Sequence, residues 1–207
     1  MRISKQRMAA TIFAPCCYHV RMYRVLLAFA IFSMVPLQAV ADDDALWQSL
    51  NTPGHFAIMR HALAPGTGDP AEFTLDDCRT QRNLSTEGRV QAAQIGARFR
   101  ANGIESAEVF SSQWCRCLET AELLGLGTVV EFPSINSFFR NREYRDPQTS
   151  ELQEWLTRHP ADKPTILVTH QVNITALTGV FPASGELVFV RVGSDGDITV
   201  TGTIRTD

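Results

Sequence analysis

Ile58-Met59-Arg60-His61 and, far downstream, Thr165-Ile166-Leu167-Val168-Thr169-His170 decide the fold. Each is a short apolar run of the kind that forms a buried strand, and each closes on a histidine. In an open α/β sheet, ligands bind just beyond the carboxyl ends of the strands. Two histidines delivered there from distant parts of the chain, one with an arginine beside it, describe a site for an anion. Such a pair can attack phosphorus and hold the charge that develops.

Outward from these runs, strands and helices alternate. Residues 55–61 read as a strand. Residues 63–84 form a polar loop with Pro65, Gly66, Gly68 and Pro70. Ser85 is placed to cap a helix whose Gly88, Ala92, Ile95, Gly96 and Phe99 share one stripe, and Asn102-Gly103 stops it. A strand is expected at 107–111, a helix from Trp114 to Leu124 ended by Gly125, and a strand at 128–132. Residues 134–149 read as irregular and charged, and 150–159 as a helix with Leu152, Trp155 and Leu156 inward. A strand at 165–170, a short helix at 171–178 and a hairpin of 186–192 with 197–204 around Ser194-Asp195-Gly196 complete the chain. This order predicts a three-layer α/β/α sandwich with a mainly parallel central sheet.

The first 41 residues read differently. They hold five basic side chains (Arg2, Lys5, Arg7, Arg21, Arg24) and no acid. An apolar run from Val25 to Val35 follows, then Ala39-Val40-Ala41. A basic start, a run of about eleven apolar residues and an A-x-A site are the marks of a secretory signal peptide, with Met22 an alternative start. The run is short for a membrane span, which takes about 20 residues. Cleavage after Ala41 leaves residues 42–207 as a single domain, periplasmic or secreted. It carries 14 basic against 22 acidic side chains, a net charge of −8. An acidic surface argues against nucleic acid or an anionic membrane as a partner. Of the 14 basic residues only Lys163 is not arginine, the better planar fork for phosphate. Cys78, Cys115 and Cys117 remain, an odd count that points to one disulfide and one free thiol in an exported chain. Cys115 and Cys117 point in different directions on a helix, so Cys78 is expected to pair with one or the other. The three make no metal-ligand pattern.

Three segments resemble the histidine phosphatase superfamily, which includes the cofactor-dependent phosphoglycerate mutases. They are Met59-Arg60-His61-Ala62, the run Ser111-Ser112-Gln113-Trp114-Cys115-Arg116-Cys117-Leu118-Glu119-Thr120-Ala121, and Val168-Thr169-His170. The middle one is similar to the family's S-S-x-x-x-R-x-x-x-T-A pattern. The resemblance implies a phosphoglycerate mutase-like fold, a phosphohistidine on His61, and a phosphate pocket of Arg60, Arg116 and His170, with no metal or other cofactor. Arg79, Arg82 and Asn83 stand in the loop as candidate substrate contacts. The general acid is where the match fails: residues 134–139 hold no carboxylate, and Gln171 follows the second histidine where another branch has aspartate. Glu143, Asp146, Asp76 and Asp77 are the candidates for that role. The expected activity is hydrolysis of small phosphomonoesters outside the cytoplasm. The export signal and Thr169-His170-Gln171-Val172-Asn173 resemble bacterial envelope members proposed to act on lipopolysaccharide-core sugar phosphates. The rival readings are a phosphohistidine or phosphoramidate phosphatase, and a non-catalytic phosphate-binding protein of the same fold.

Overall fold

A computed structural model describes residues 43–206. The expected export signal, with Cys16 and Cys17, lies outside the described residues. One six-stranded sheet of order β3-β2-β4-β1-β5-β6 organises the described chain. Its strands are β1 (His55–Arg60), β2 (Glu108–Ser111), β3 (Val129–Glu131), β4 (Thr165–Thr169), β5 (Leu187–Val192) and β6 (Ile198–Ile204). β3, β2, β4 and β1 run parallel, and the β5–β6 hairpin adds two antiparallel strands beyond β1. The sheet is therefore mixed, with its parallel part where the site is formed.

Side-chain alternation splits the core into two layers. Ala57 and Met59 of β1, with Ile166 and Val168 of β4, face one side. There they meet α1 (Asp43–Ser49), α2 (Thr86–Ala101) and α3 (Cys115–Leu124) through Leu46, Trp47, Ile95, Phe99 and Leu124. Phe56, Ile58 and Leu167 face the other side. They pack on α4 (Arg145–Arg158) and α5 (Gln171–Thr178) through Leu152, Leu156 and Ile174. Both faces are covered, which explains the continuous apolar reading of β1 and β4.

Two elements differ from expectation. Helix α1 was not foreseen; it is short and opens with Asp43 and Asp44, and only Leu46 and Trp47 of it are buried. Trp47 anchors it edge-on to Phe99 and Phe189, with ring centroids 4.9 and 5.6 Å apart. Helix α4 starts at Arg145, five residues before the expected start at Ser150. Pro147 lies in its first turn, where the missing N–H costs no helical bond.

Glycine is required at Gly88. A Cβ there would lie 2.1 Å from the Leu63 carbonyl oxygen. The start of α2 thus packs directly on the chain leaving β1. Among the described residues no helix is long and apolar enough to cross a membrane.

Candidate active site

β1, β4 and β2 are neighbours, so their carboxyl ends lie side by side. The ladder runs past the strands: the His61 amide donates to Thr169 O at 2.9 Å, and the Ser112 amide to Val168 O at 3.0 Å. His61 and His170 therefore emerge together, with ring centroids 5.6 Å apart. Arg116 reaches them from the first turn of α3. All three side chains are buried.

The hydrogen bonds assign work to each ring nitrogen. His61 Nδ1 lies 2.8 Å from the Ala62 carbonyl, an acceptor only, so Nδ1 carries the proton and Nε2 the lone pair. Arg116 Nε donates to that Nε2 at 3.2 Å. Arg116 Nη2 lies 3.3 Å from His170 Nδ1, which leaves His170 Nε2–H to donate to Ser112 Oγ at 2.8 Å. Ser112 Oγ in turn donates to Asn136 Oδ1. Thr120 Oγ1 accepts from the Ala62 amide and donates to Arg116 O, fixing the residue after His61 to the arginine helix.

Electrostatics favour neutral rings in a positive setting. Burial, and then the charge of Arg116, hold both imidazoles well below their ordinary 6.5. In the unfolded chain each histidine titrates near that ordinary value. Below it the unfolded state takes up protons that the folded state refuses, so stability falls as pH drops beneath about 6.5. Urea midpoints measured from about pH 7.5 to about pH 5 should decline for wild type, and decline less for a His61→Asn/His170→Gln variant. Arg82 is pushed down to about 10, by burial first and then by Arg116, and Arg60 is lowered for the same reasons. Arg60 Nη1 donates to Pro182 O at 3.1 Å, while its buried Nε finds no partner among the described residues. An orphan buried donor of this kind is costly unless a ligand oxygen meets it.

One carboxylate answers these arginines, and sequence reasoning missed it. Asp69 pairs with Arg116 by two bonds of 2.7 and 3.3 Å, the salt bridge being nearly inaccessible to water. It also accepts from the Arg82 amide at 3.1 Å and Trp114 Nε1 at 3.2 Å. Burial pushes the Asp69 carboxyl up, but the bonds and charge of Arg116 outweigh it and hold it below the usual range. Asp69 is thus an ionised counterion. It takes one edge of the Arg116 fork and turns the Nε/Nη2 edge toward the histidines.

These groups line a cavity of about 680 Å³, walled by Phe73, Trp114, Phe139 and Phe181 and rimmed by Arg140 and Arg142. The structure places the other sequence candidates as follows. Arg82 lines the cavity and donates to the Gly68 and Ala64 carbonyls. Arg79 points to solvent paired with Asp77, and Asn83 donates to Cys78 O, so both serve the loop. Asp77 caps the Cys78–Thr80 turn, and neither it, Asp76 nor Glu143 borders the cavity. Asp146 borders an adjoining one.

Of the two pairings left open, the structure has Cys78–Cys115. That bond clamps the loop bearing Asp69 and Arg82 onto the first turn of α3, beside Arg116. Cys117 is a free buried thiol pushed up to about 12 by burial, hence uncharged, although its Sγ lies 3.5 Å from His170 Nε2. A Cys78→Ser/Cys115→Ser variant should lose about 3–4 kcal/mol of stability, from the freed 37-residue separation. It should also lose activity, through the loosened loop. Denaturant titration and kcat/KM on one preparation check both.

Comparisons with known proteins agree with this geometry. The profile of the "Histidine phosphatase superfamily (branch 1)" matches residues 57–144, which hold Arg60, His61 and Arg116. No curated protein matches the chain significantly. Among solved structures, the protein histidine phosphatase SixA complexed with tungstate is similar, at 18% identity and a TM-score of 0.51 over 73% of this chain and 97% of that one. A putative phosphohistidine phosphatase SixA from Agrobacterium tumefaciens gives 16% and 0.50 over 74% and 98%. A mycobacterial glucosyl-3-phosphoglycerate phosphatase in complex with VO3 gives 15% and 0.52 over 74% and 96%. At these identities the likeness speaks to the fold. The family profile lies over the first two motif segments, and His170 is brought to the same strand ends, so over these residues the chain is similar to the histidine phosphatase superfamily.

Proposed function

We propose that this chain is an exported phosphatase that hydrolyses phosphomonoesters through a phosphohistidine on His61. The observation that carries the reading is the His61 Nε2 lone pair, set in a cavity lined by five arginines (Arg60, Arg82, Arg116, Arg140 and Arg142) and, among the described residues, by one carboxylate, Asp69. A dianionic phosphate entering the cavity would meet the Nε/Nη2 edge of Arg116, the orphan Nε of Arg60, and Arg82. The neutral imidazole then attacks phosphorus. The N–P bond forms as the bond to the leaving oxygen breaks, and the guanidinium groups hold the equatorial oxygens. The leaving oxygen takes a proton from solvent, water attacks the phosphohistidine and returns a proton to solvent, and inorganic phosphate and neutral His61 are released.

The proton source separates this reading from its nearest rival. Among the described residues the one carboxyl lining the cavity is Asp69, which is ionised and bound to Arg116. Leaving groups that depart with little protonation are then favoured. This supports a phosphoramidate or phosphohistidine substrate as the second reading, in line with the SixA neighbours. The sugar-phosphate reading draws support from the aromatic walls and from the mycobacterial phosphatase. Export, and action on envelope sugar phosphates, rest on the sequence of residues 1–41 and on the family resemblance. Release from p-nitrophenyl phosphate and from a phosphoramidate, each compared with His61→Ala, tests the proposal. Release from both supports the ester reading, and release from the phosphoramidate alone supports the rival. Release from neither leaves a binding protein.

A further inference from the structure

Beside the phosphoryl cavity lies a second one of about 580 Å³. The two share Arg142, Gln171, Val172 and Phe181 as lining residues, so they are contiguous. Each is within the range of about 300–1,000 Å³ that holds a whole small ligand, far more than a phosphoryl group needs. The leaving part of the substrate therefore has a built space to enter.

The chemistry of that space is cationic with an apolar rim. Arg142 and Arg145 line it, with Asp146 as its one carboxylate among the described residues. Neither arginine forms a salt bridge among the described residues, although acidic side chains outnumber basic ones in the chain. The Arg142 guanidinium lies over the Phe139 ring, 5.2 Å from its centroid. A stacked guanidinium keeps its in-plane N–H donors for another partner. Phe181, at the wall common to both cavities, is 73% exposed. A large aromatic face left in water at a cavity mouth is a surface for the apolar face of a ligand. Its neighbour Pro182 is tied to Arg60 through the Nη1 bond, which fixes Phe181 relative to the phosphate pocket.

We propose that the second cavity is a distal anion subsite. The substrate is a phosphomonoester whose leaving group carries a second anionic group, phosphate or carboxylate. Arg142 and Arg145 bind that anion, and Phe181 covers the segment between the two charges. This rests on the phosphatase reading for its first anion, but its test does not depend on turnover.

Calorimetric binding to the full chain carrying His61→Ala, which cannot turn over, is measured with fructose 1,6-bisphosphate, 3-phosphoglycerate and glucose 6-phosphate. The two doubly anionic ligands should bind about tenfold or more tighter than glucose 6-phosphate. Adding Arg142→Ala and Arg145→Ala should remove that preference. Preference for the bisphosphate alone assigns the subsite to phosphate, and preference for 3-phosphoglycerate alone assigns it to carboxylate. Equal binding of all three ligands, or a preference untouched by the two substitutions, overturns the proposal. In the active enzyme the same substitutions should collapse the ratio of kcat/KM between bisphosphate and monophosphate, acting mainly on KM. Absence of His61-dependent turnover on every ester would overturn the phosphatase reading while the binding result still decides the subsite.

Discussion

Replacing His61 with alanine abolishes turnover, with a loss on the order of 10⁴-fold or more, and leaves the fold in place. The size follows from what remains in the cavity. His170 is held at both ring nitrogens, by Ser112 Oγ at Nε2 and by Arg116 Nη2 at Nδ1. Cys117 is an uncharged thiol bonded toward Thr169 O. Among the described residues no second nucleophile is poised to take over. The His61 ring makes one hydrogen bond to its own chain and one to Arg116, so its removal costs a cavity rather than a network. Steady-state release from p-nitrophenyl phosphate, with circular dichroism to confirm folding, measures the effect. A variant that retains a tenth of the wild-type rate would mean that water attacks phosphorus directly.

Replacing Asp69 with alanine has the second largest effect, and it is double. Arg116 is buried and has no other carboxylate partner among the described residues, so the variant leaves an uncompensated interior charge. Removing one partner of a buried pair costs about 3–5 kcal/mol. Activity falls as well, because the Arg116 fork loses the anchor that turns its Nε/Nη2 edge toward the two imidazoles. A misplacement of about 1 Å in such a group costs roughly 10²-fold in rate. Asp69→Asn keeps the shape and loses the charge, and should fall between wild type and alanine in both respects. Stability is read from urea unfolding. A double-mutant cycle with Arg116→Met should show strong coupling, since removing both charges is milder than removing one. Additive losses would show that the pair carries neither burden.

The sequence was most legible where chemistry and local structure coincide. Arg60-His61 and Thr169-His170 end apolar runs, and runs this short read as covered strands rather than helices. A mainly parallel sheet with helices on both faces then follows from the alternation of strands with helices, whereas the order of the strands does not. Ser85 caps α2 through its bond from the Gly88 amide, and Gly125 ends α3 in a left-handed conformation, as their residue types announce. Asp69 was illegible for a physical reason. It stands between Gly68 and Pro70, in a stretch that reads as turn chemistry, and its partner Arg116 is 47 residues away. What brings them together is the clamp of Cys78 on Cys115 and the bonds from Arg140 to the carbonyls of Asp69 and Pro70. Such tertiary contacts leave no periodicity. Glu143 and Asp77 stood out as carboxylates near the motifs, but proximity in sequence did not carry them to the cavity.

The central claim is a covalent phosphorus–nitrogen bond at His61 Nε2. Rapid alkaline quenching of the full chain with substrate, followed by peptide mass spectrometry, tests it most directly, because phosphohistidine survives base and is lost in acid. One PO₃ group on the peptide containing His61, discharged by acid and absent in His61→Ala, is the result expected. Full turnover with an unmodified His61 peptide at every quench time, or phosphate on His170 instead, would contradict it.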